Sequence, residues 1–465
     1  MRIRTRGSRT TAAALALTLG TGLLAGCGDT ASAKPDNQIT VWSLENLPPR
    51  MAVGREVVAR FEKKTGVEVK LVGVDESKLP QLIMSAAAAG NLPDVIGAVP
   101  LGQIWQMYGN ELLDTRLTGE IVDDLGPRTF NDNALGLASD DGTRLAVPSD
   151  SWQQILVYRK DMLERAGLPV PDSYADLRRA AKALDEGPGT GISLATDPSD
   201  LFTQQSFESF ALANDCRLVE GDDVALESPA CRTAFAAYDE LASEYGADGV
   251  QTVDTTRATY FAGRSPIIMW SSFLLDELAG LRKDALPSCP ACKKDPGYLA
   301  QNSGVVTALE GPDGAEPAQF GEISSWAVTR TAEKEASGKF VRFMLDEGYE
   351  EWFGMAPEGK IPVREGTASD PDRFQQAWRA GEIGVDSKKP LEEVYPSELL
   401  DRMSEGVGNM RRWGITQGEG LLVGATNGEL PVPQAIGAMA SDQIPPREAA
   451  RQAAEEVTAL RESLQ

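Results

Sequence analysis

Residues 39–96, ITVWSLENLPPRMAVGREVVARFEKKTGVEVKLVGVDESKLPQLIMSAAAAGNLPDVI, decide the fold. Ile39-Thr40-Val41-Trp42 alternates as a half-buried strand does. Val53, Val57, Val58 and Phe61 then recur at helical spacing, and Lys63-Lys64-Thr65-Gly66 supplies a basic last turn and a glycine stop. Val67-Glu68-Val69-Lys70-Leu71 alternates again. A second helix is predicted from about Lys78 to Ala89, ending at Gly90-Asn91, before a short apolar strand around Asp94 to Ile96. Strand, helix, strand, helix, strand predicts an α/β domain with a mostly parallel sheet.

Working outward, the pattern restarts after Leu145-Ala146-Val147-Pro148. Gln154 to Tyr158 reads as an apolar strand, and Ser173-Tyr174-Ala175-Asp176 resembles a capping box opening a helix with Leu177, Ala181 and Leu184 inward. Helices follow from Leu201 to Ala213 and from Cys231 to Tyr245, and Pro266-Ile267-Ile268-Met269-Trp270 reads as a buried strand. Pro446 opens a final helix striped by Ala449, Ala453, Val457, Leu460 and Leu464. The chain has 465 residues, more than one compact core usually holds, so two or more lobes are expected.

Upstream, Arg2, Arg4, Arg6 and Arg9 precede an apolar run from Ala12 to Ala25, which reads as an export signal over residues 1–26. That run is too short to span a bilayer as a helix. Leu24-Ala25-Gly26-Cys27 resembles a lipobox, which makes Cys27 the expected acyl acceptor, residues 27–38 a tether, and the outer face of the cell membrane the expected location. The net charge of −24 excludes nucleic acid as a partner.

With Cys27 set aside, Cys216, Cys231, Cys289 and Cys292 remain, an even number suited to two disulfides in an oxidising compartment. Nearest-neighbour pairing joins Cys216 to Cys231 and Cys289 to Cys292, although sequence allows three connectivities. The chain contains no His, so a zinc site is not expected. Triad chemistry built on His is excluded as well. No metal and no cofactor are expected.

The blocks that carry family character are residues 39–95; Val147-Pro148 with Val157-Tyr158-Arg159-Lys160-Asp161-Met162-Leu163 and Ala166-Gly167-Leu168-Pro169-Val170-Pro171; Tyr260-Phe261-Ala262-Gly263-Arg264; and Ser324-Ser325-Trp326-Ala327-Val328 followed by Gly359-Lys360-Ile361-Pro362-Val363-Arg364. In this order and spacing they resemble the extracellular solute-binding proteins of carbohydrate ABC importers, the maltose-binding-protein-like receptors. The resemblance implies a two-lobed, type II periplasmic-binding-protein-like α/β fold with three hinge crossings, near Val147 to Trp152, Glu322 to Trp326 and Gly359 to Arg364. The lobes would be residues 39–149 with 327–362 and residues 150–326 with 363–465. Two positions depart from the family: Asn214-Asp215-Cys216 replaces a glycine pair, and Gly321-Glu322-Ile323 replaces a fuller glycine-rich hinge.

The implied function is capture of a carbohydrate by a monomer that delivers it to the importer's membrane permease. Open α/β sheets bind ligands beyond the carboxyl ends of their strands. A sugar ring wants a flat aromatic against its C–H face and polar groups around its rim. Trp42, Trp152, Trp270 and Trp326 are the candidate aromatics, and Glu45, Asp150, Ser271 and Arg364 the candidate rim groups. Trp270 is favoured because the matching family position stacks on sugar, whereas Trp326 has a place in the lobe core as its alternative. Trp105, Trp352, Trp378 and Trp413 read as packing residues. Two rival readings are a receptor of the same fold for a cationic solute such as a polyamine, and an exported hydrolase using a carboxylate pair.

Overall fold

The computed structural model describes residues 37–185 and 189–464. The leader, Cys27 and most of the tether lie outside the described residues. Among the described residues no helix is long and apolar enough to cross a membrane.

The opening stretch folds as its periodicity requires, into β1 (Gln38–Ser43), α1 (Pro48–Thr65), β2 (Glu68–Gly73), α2 (Leu79–Ala89) and β3 (Val95–Pro100). Helix α1 starts on Pro48-Pro49, whose fixed φ suits a first turn, and stops at Gly66 with φ +74°, a left-handed conformation that favours glycine. Its inner face buries Met51, Val57, Val58 and Phe61. Burial of a side chain as large as Phe61 contributes roughly 1.5–3 kcal/mol.

β4 (Val147–Arg159) runs well beyond the predicted segment and is the structural spine of the molecule. After it come α3 (Tyr174–Leu184), α4 (Leu201–Ala213), α5 (Pro229–Asp239), α6 (Val253–Phe261), β5 (Ile267–Ser271), α7 (Leu274–Leu278) and β6 (Ser303–Val306). The chain then returns through β7 (Gly321–Val328), α8 (Lys334–Met344), α9 (Tyr349–Phe353) and β8 (Ile361–Pro362), and ends in α10 (Pro446–Ser463).

The sheet order is β6-β4-β7-β3-β1-β2, with β5 and β8 also paired to β4. Only β2-β1-β3 is parallel; β7 is antiparallel to both β3 and β4, so the parallel character expected from the first five elements stops at β3. Strand β4 changes partners along its length. Its first half, Val147 to Gln153, pairs with β7 and β8, and its second half, Gln154 to Arg159, pairs with β5 and β6. The three segments named as hinge crossings therefore lie side by side, with β4 in the middle.

Each half of β4 has its own aromatic core. Beside β1–β3, Phe61 packs against Phe340 and Phe343 at 5.2 and 5.4 Å. Beside β5, Phe207 packs on Phe235 at 4.4 Å, and Phe210 on Tyr238 at 5.2 Å. This is the mixed α/β, type II periplasmic-binding-protein fold.

The cysteines pair Cys216 with Cys231 and Cys289 with Cys292. Where relatives were expected to use a glycine pair, Asp215 adopts φ +52°, and its carboxylate accepts the Ala315 N–H from a segment 100 residues away.

Candidate functional site

Beyond the ends of β1 and β5 lies a cleft of about 290 Å³. Four sequence candidates meet there: Glu45 in the loop after β1, Trp152 at the middle of β4, and Trp270 and Ser271 at the end of β5. Arg50, Glu76, Arg257, Phe273 and Lys360 complete the parts that matter for chemistry.

The floor is an ion-pair network centred on Lys360, which is 1 % exposed. Its ammonium lies 2.7 Å from Glu45 and 2.9 Å from Asp150. It also lies 4.5 Å from the centre of the Trp352 ring. Arg50 holds the other Glu45 oxygen at 2.8 Å. Burial pushes the Glu45 carboxyl up, but Lys360 and Arg50 outweigh it and hold its pKa at about 2. Lys360 is itself shifted upward, because its two carboxylates more than offset its desolvation.

Four sequence candidates lie outside the cleft lining. Asp150 does not line the cleft; it sits behind Lys360, where it also accepts from Trp352 Nε1 at 2.8 Å and Ser149 Oγ at 2.6 Å. Trp326 is 1 % exposed and packs on Trp352 at 4.7 Å, so it is a core residue. A Cβ on Gly97 would stand 2.5 Å from the Trp326 ring, which explains the glycine in β3. Arg364 is buried away from the cleft. It donates to the carbonyls of Leu345 and Leu125 and to Thr129 Oγ1, and its guanidinium faces the Phe130 and Phe374 rings. Its pKa is lowered by that burial. Trp42 is half-buried in β1, paired opposite Val72 and Ile96, and does not line the cleft either.

The two tryptophans that do line the cleft differ. Trp270 is only 7 % exposed; Phe202 packs on it at 5.7 Å, the Arg257 guanidinium lies 5.6 Å from its ring centre, and its Nε1 donates to the Val253 carbonyl. Trp152 is half-buried and leans on Phe320 at 5.8 Å, which leaves ring surface facing the cleft. Phe273 adds a second half-buried aromatic, with Arg50 5.2 Å from its centre. A Cβ on Gly359 would stand 2.1 Å from the Phe273 ring, so this ring lies directly on the chain that leads into β8.

On the opposite wall Arg257 forks onto Glu277 at 3.0 and 3.3 Å and reaches Asp254 at 2.7 Å. Arg282 lies 3.4 Å from Glu277 and 2.7 Å from Asp284. Glu76 stands apart. It has no ion-pair or hydrogen-bond partner among the described residues. Its side chain keeps solvent contact, and crowding by the cleft walls and by the carboxylates of Glu322, Glu45, Asp75 and Asp200 pushes its pKa upward.

Behind the cleft Asp276 and Glu358 form a second acidic pair, each 1 % exposed. One oxygen of each carboxyl lacks a hydrogen-bond partner. Burial and mutual repulsion raise Asp276 to about 8, and burial raises Glu358 to about 7, against the pull of Arg50 and Arg282.

Sequence reading missed Arg50, Glu76, Arg257, Phe273 and Lys360. The signal for Lys360 was at hand: it occupies the quoted block Gly359 to Arg364, where Arg364 was chosen instead. Trp105, Trp352, Trp378 and Trp413 are buried, as packing residues should be. A larger surface groove of about 580 Å³ lies between α3, α5 and Glu310–Pro312. Its charged pair, Arg178 with Glu240, is internally satisfied at 2.7 Å. The Tyr174 hydroxyl there is committed to the Phe210 carbonyl. The groove therefore offers a ligand less than the cleft does.

Comparison with known proteins agrees with this geometry. A family model described as bacterial extracellular solute-binding protein matches residues 56–381. The chain is 27 % identical over 423 residues to the putative ABC transporter periplasmic-binding protein YcjN of Escherichia coli K12, covering 86 % of this chain and 90 % of that one. Maltose-bound T. maritima MalE3 superposes with a TM-score of 0.66 at 18 % identity, over 91 % of this chain and 99 % of the other. A sugar transporter from Arthrobacter chlorophenolicus A6 with bound laminaribiose gives 0.70 at 16 % identity, over 91 % and 99 %. Fold, cleft and family model converge, and the chain belongs to the bacterial extracellular solute-binding protein family.

Proposed function

We propose that this protein is the substrate-binding lipoprotein of an ABC importer, anchored through Cys27, and that it captures a carbohydrate in the cleft and hands it to the membrane permease. The observation that carries the reading is the cleft's mixed lining: half-buried Trp152 and Phe273 for a sugar's C–H faces, with Glu45, Glu76, Ser271 and Arg257 around the rim. Solved relatives of the same fold hold maltose and laminaribiose. The lobes are taken as residues 39–149 with 327–362 and residues 150–326 with 363–465, hinged where β4, β7 and β8 lie together, and the protein is taken to act as a monomer.

The lining argues against a hydrolase. A glycosidase needs two carboxyl groups facing the substrate, one of them able to donate a proton. Of the three lining carboxyls, Glu45 and Glu277 are tied into ion pairs and only Glu76 is free. Incubation with oligosaccharides and a thermal-shift panel of sugars and polyamines tests the proposal. A raised melting temperature with the sugar recovered intact supports it; cleaved product would make the protein an enzyme, and a response to polyamines alone would make it a receptor for another solute. Unchanged incorporation of labelled fatty acid after Cys27→Ser would remove the anchor.

A further inference from the structure

The helix Leu101–Gly109 starts directly after β3, packs on β3 and β7, and is tied at its first residue by the Leu101 N–H, which donates to Glu322 Oε1 at 3.0 Å. It therefore belongs with the half of the molecule built on β1–β3. The helix Gly420–Glu429 belongs with the other half. It packs on α10, which packs on α5, and Glu419 at its start pairs with Arg461 of α10 at 2.5 Å.

These two helices nonetheless lie directly against each other, antiparallel, with glycines where side chains would collide. A Cβ on Gly420 would stand 2.1 Å from the Trp105 ring, one on Gly424 would stand 3.0 Å from the Gln106 backbone N, and one on Gly102 would stand 2.1 Å from Asn427 Nδ2. The contact adjoins the cleft. Ala98, at the end of β3, lines the cleft just before the first helix begins; on the other side Phe202 packs on Trp270, and Gln204 in the same turn donates to Asn427 Oδ1 at 2.8 Å. The fit is close in shape but incomplete in polarity, because Trp105 Nε1 and Gln204 Oε1 are buried without hydrogen-bond partners. A permanent core contact seldom carries such a cost, whereas a contact that opens recovers it by letting water reach both groups.

We infer that the helices Leu101–Gly109 and Gly420–Glu429 form an interlobe latch, a direct helix-to-helix contact that shuts one end of the cleft, stands only in the closed form, and parts before a ligand enters or leaves. This rests on the lobe assignment proposed above. The glycines bring the helices close enough to seal the cleft end, and the unpaired Trp105 and Gln204 groups keep the seal weak enough to release. The latch adds lobe-to-lobe packing to whatever contacts a sugar makes with both walls, so it biases hinge closure without itself touching the ligand.

Two perturbations act on it in opposite directions. Gly109→Cys with Leu421→Cys places two thiols at the exposed outer end of the contact, where a Cβ on Gly109 would stand 2.9 Å from Leu421 Cδ2, and oxidation should lock the latch. Gly424→Leu, or Gly424→Ala where the larger side chain prevents folding, wedges it apart. Solution scattering of the ligand-free proteins should give the wedge variant a larger radius of gyration than the oxidised pair. Stopped-flow tryptophan fluorescence with maltose and laminaribiose should show association slowed about 100-fold or more by oxidation of the pair and restored by reductant, against wild type given the same reductant. Failure of the pair to cross-link, superimposable scattering of the wedge variant and the oxidised pair, or equal association rates in the oxidised and reduced pair would overturn the inference and make the two helices parts of one rigid body. If neither sugar binds wild type, the carbohydrate reading loses support while the scattering comparison still decides the latch.

Discussion

Replacing Lys360 with Met probes the network that floors the cleft. Met has similar length and no charge, so the change removes the ammonium while filling most of its space. Two buried carboxylates lose their shared partner. Glu45, 8 % exposed, keeps Arg50 at 2.8 Å, whereas Asp150, 1 % exposed, keeps only the neutral donors Trp352 Nε1 and Ser149 Oγ. Asp150 therefore carries most of the damage. Removing one partner of a buried pair costs roughly 3–5 kcal/mol, and the two remaining hydrogen bonds put this case toward the lower end, at about 3 kcal/mol. Urea unfolding near neutral pH measures it as a lowered midpoint at unchanged slope. Asp150→Asn in the Lys360→Met background should recover part of the loss, since it removes the orphaned charge. The deficit should also shrink as pH falls, because a buried carboxyl without its cation gains a proton more easily. A single mutant within about 0.5 kcal/mol of wild type, or a deficit that the second change does not reduce, would mean that Asp150 does not depend on Lys360 for its burial.

Two further perturbations follow from the buried groups. Asp276 and Glu358 have folded pKa values raised to about 8 and about 7, so their contribution is fully present below the unfolded carboxyl value of about 4 and is lost as pH rises through 7 to 8. Asp276→Asn should flatten the decline of the urea midpoint across that window, and an unchanged decline would show that the buried Asp276 carboxyl is not its source. Replacing both Cys216 and Cys231 with Ala opens a loop with a sequence separation of 15 and should lower stability by about 3 kcal/mol, read by the same unfolding assay against the intact disulfide.

The opening β1-α1-β2-α2-β3 run was legible because each element shows its period within a few residues of sequence, and glycines at 66 and 90 end the two helices. The antiparallel insertion of β7 beside β3 was not, because it joins segments more than 200 residues apart and antiparallel pairing leaves no local mark. Proximity to a strand end brought Glu45, Trp270 and Ser271 to the cleft, which Trp152, at the middle of β4, also lines. The same argument misplaced Asp150 and Trp326, since β4 and β7 are buried along nearly their whole length and the side a residue faces is set by what packs there. Arg364 looked like a rim cation because arginine is seldom buried. The carbonyls of Leu125 and Leu345, which make its burial tolerable, lie 239 and 19 residues away in sequence. Lys360 stood in the quoted block Gly359 to Arg364, but its role there left no local mark, because its two carboxylates lie 315 and 210 residues upstream.

As a sugar receptor, the protein is expected to hold an intact sugar against Trp152. Titration calorimetry with the oligosaccharide that raises the melting temperature most, on wild type and Trp152→Ala, followed by analysis of the recovered sugar, tests it directly. Loss of a central aromatic anchor costs on the order of 2–4 kcal/mol, so one site per chain, sugar recovered uncleaved, and affinity about 30-fold or more weaker in Trp152→Ala are expected. Cleaved sugar, or near-native affinity in a correctly folded Trp152→Ala, would contradict it.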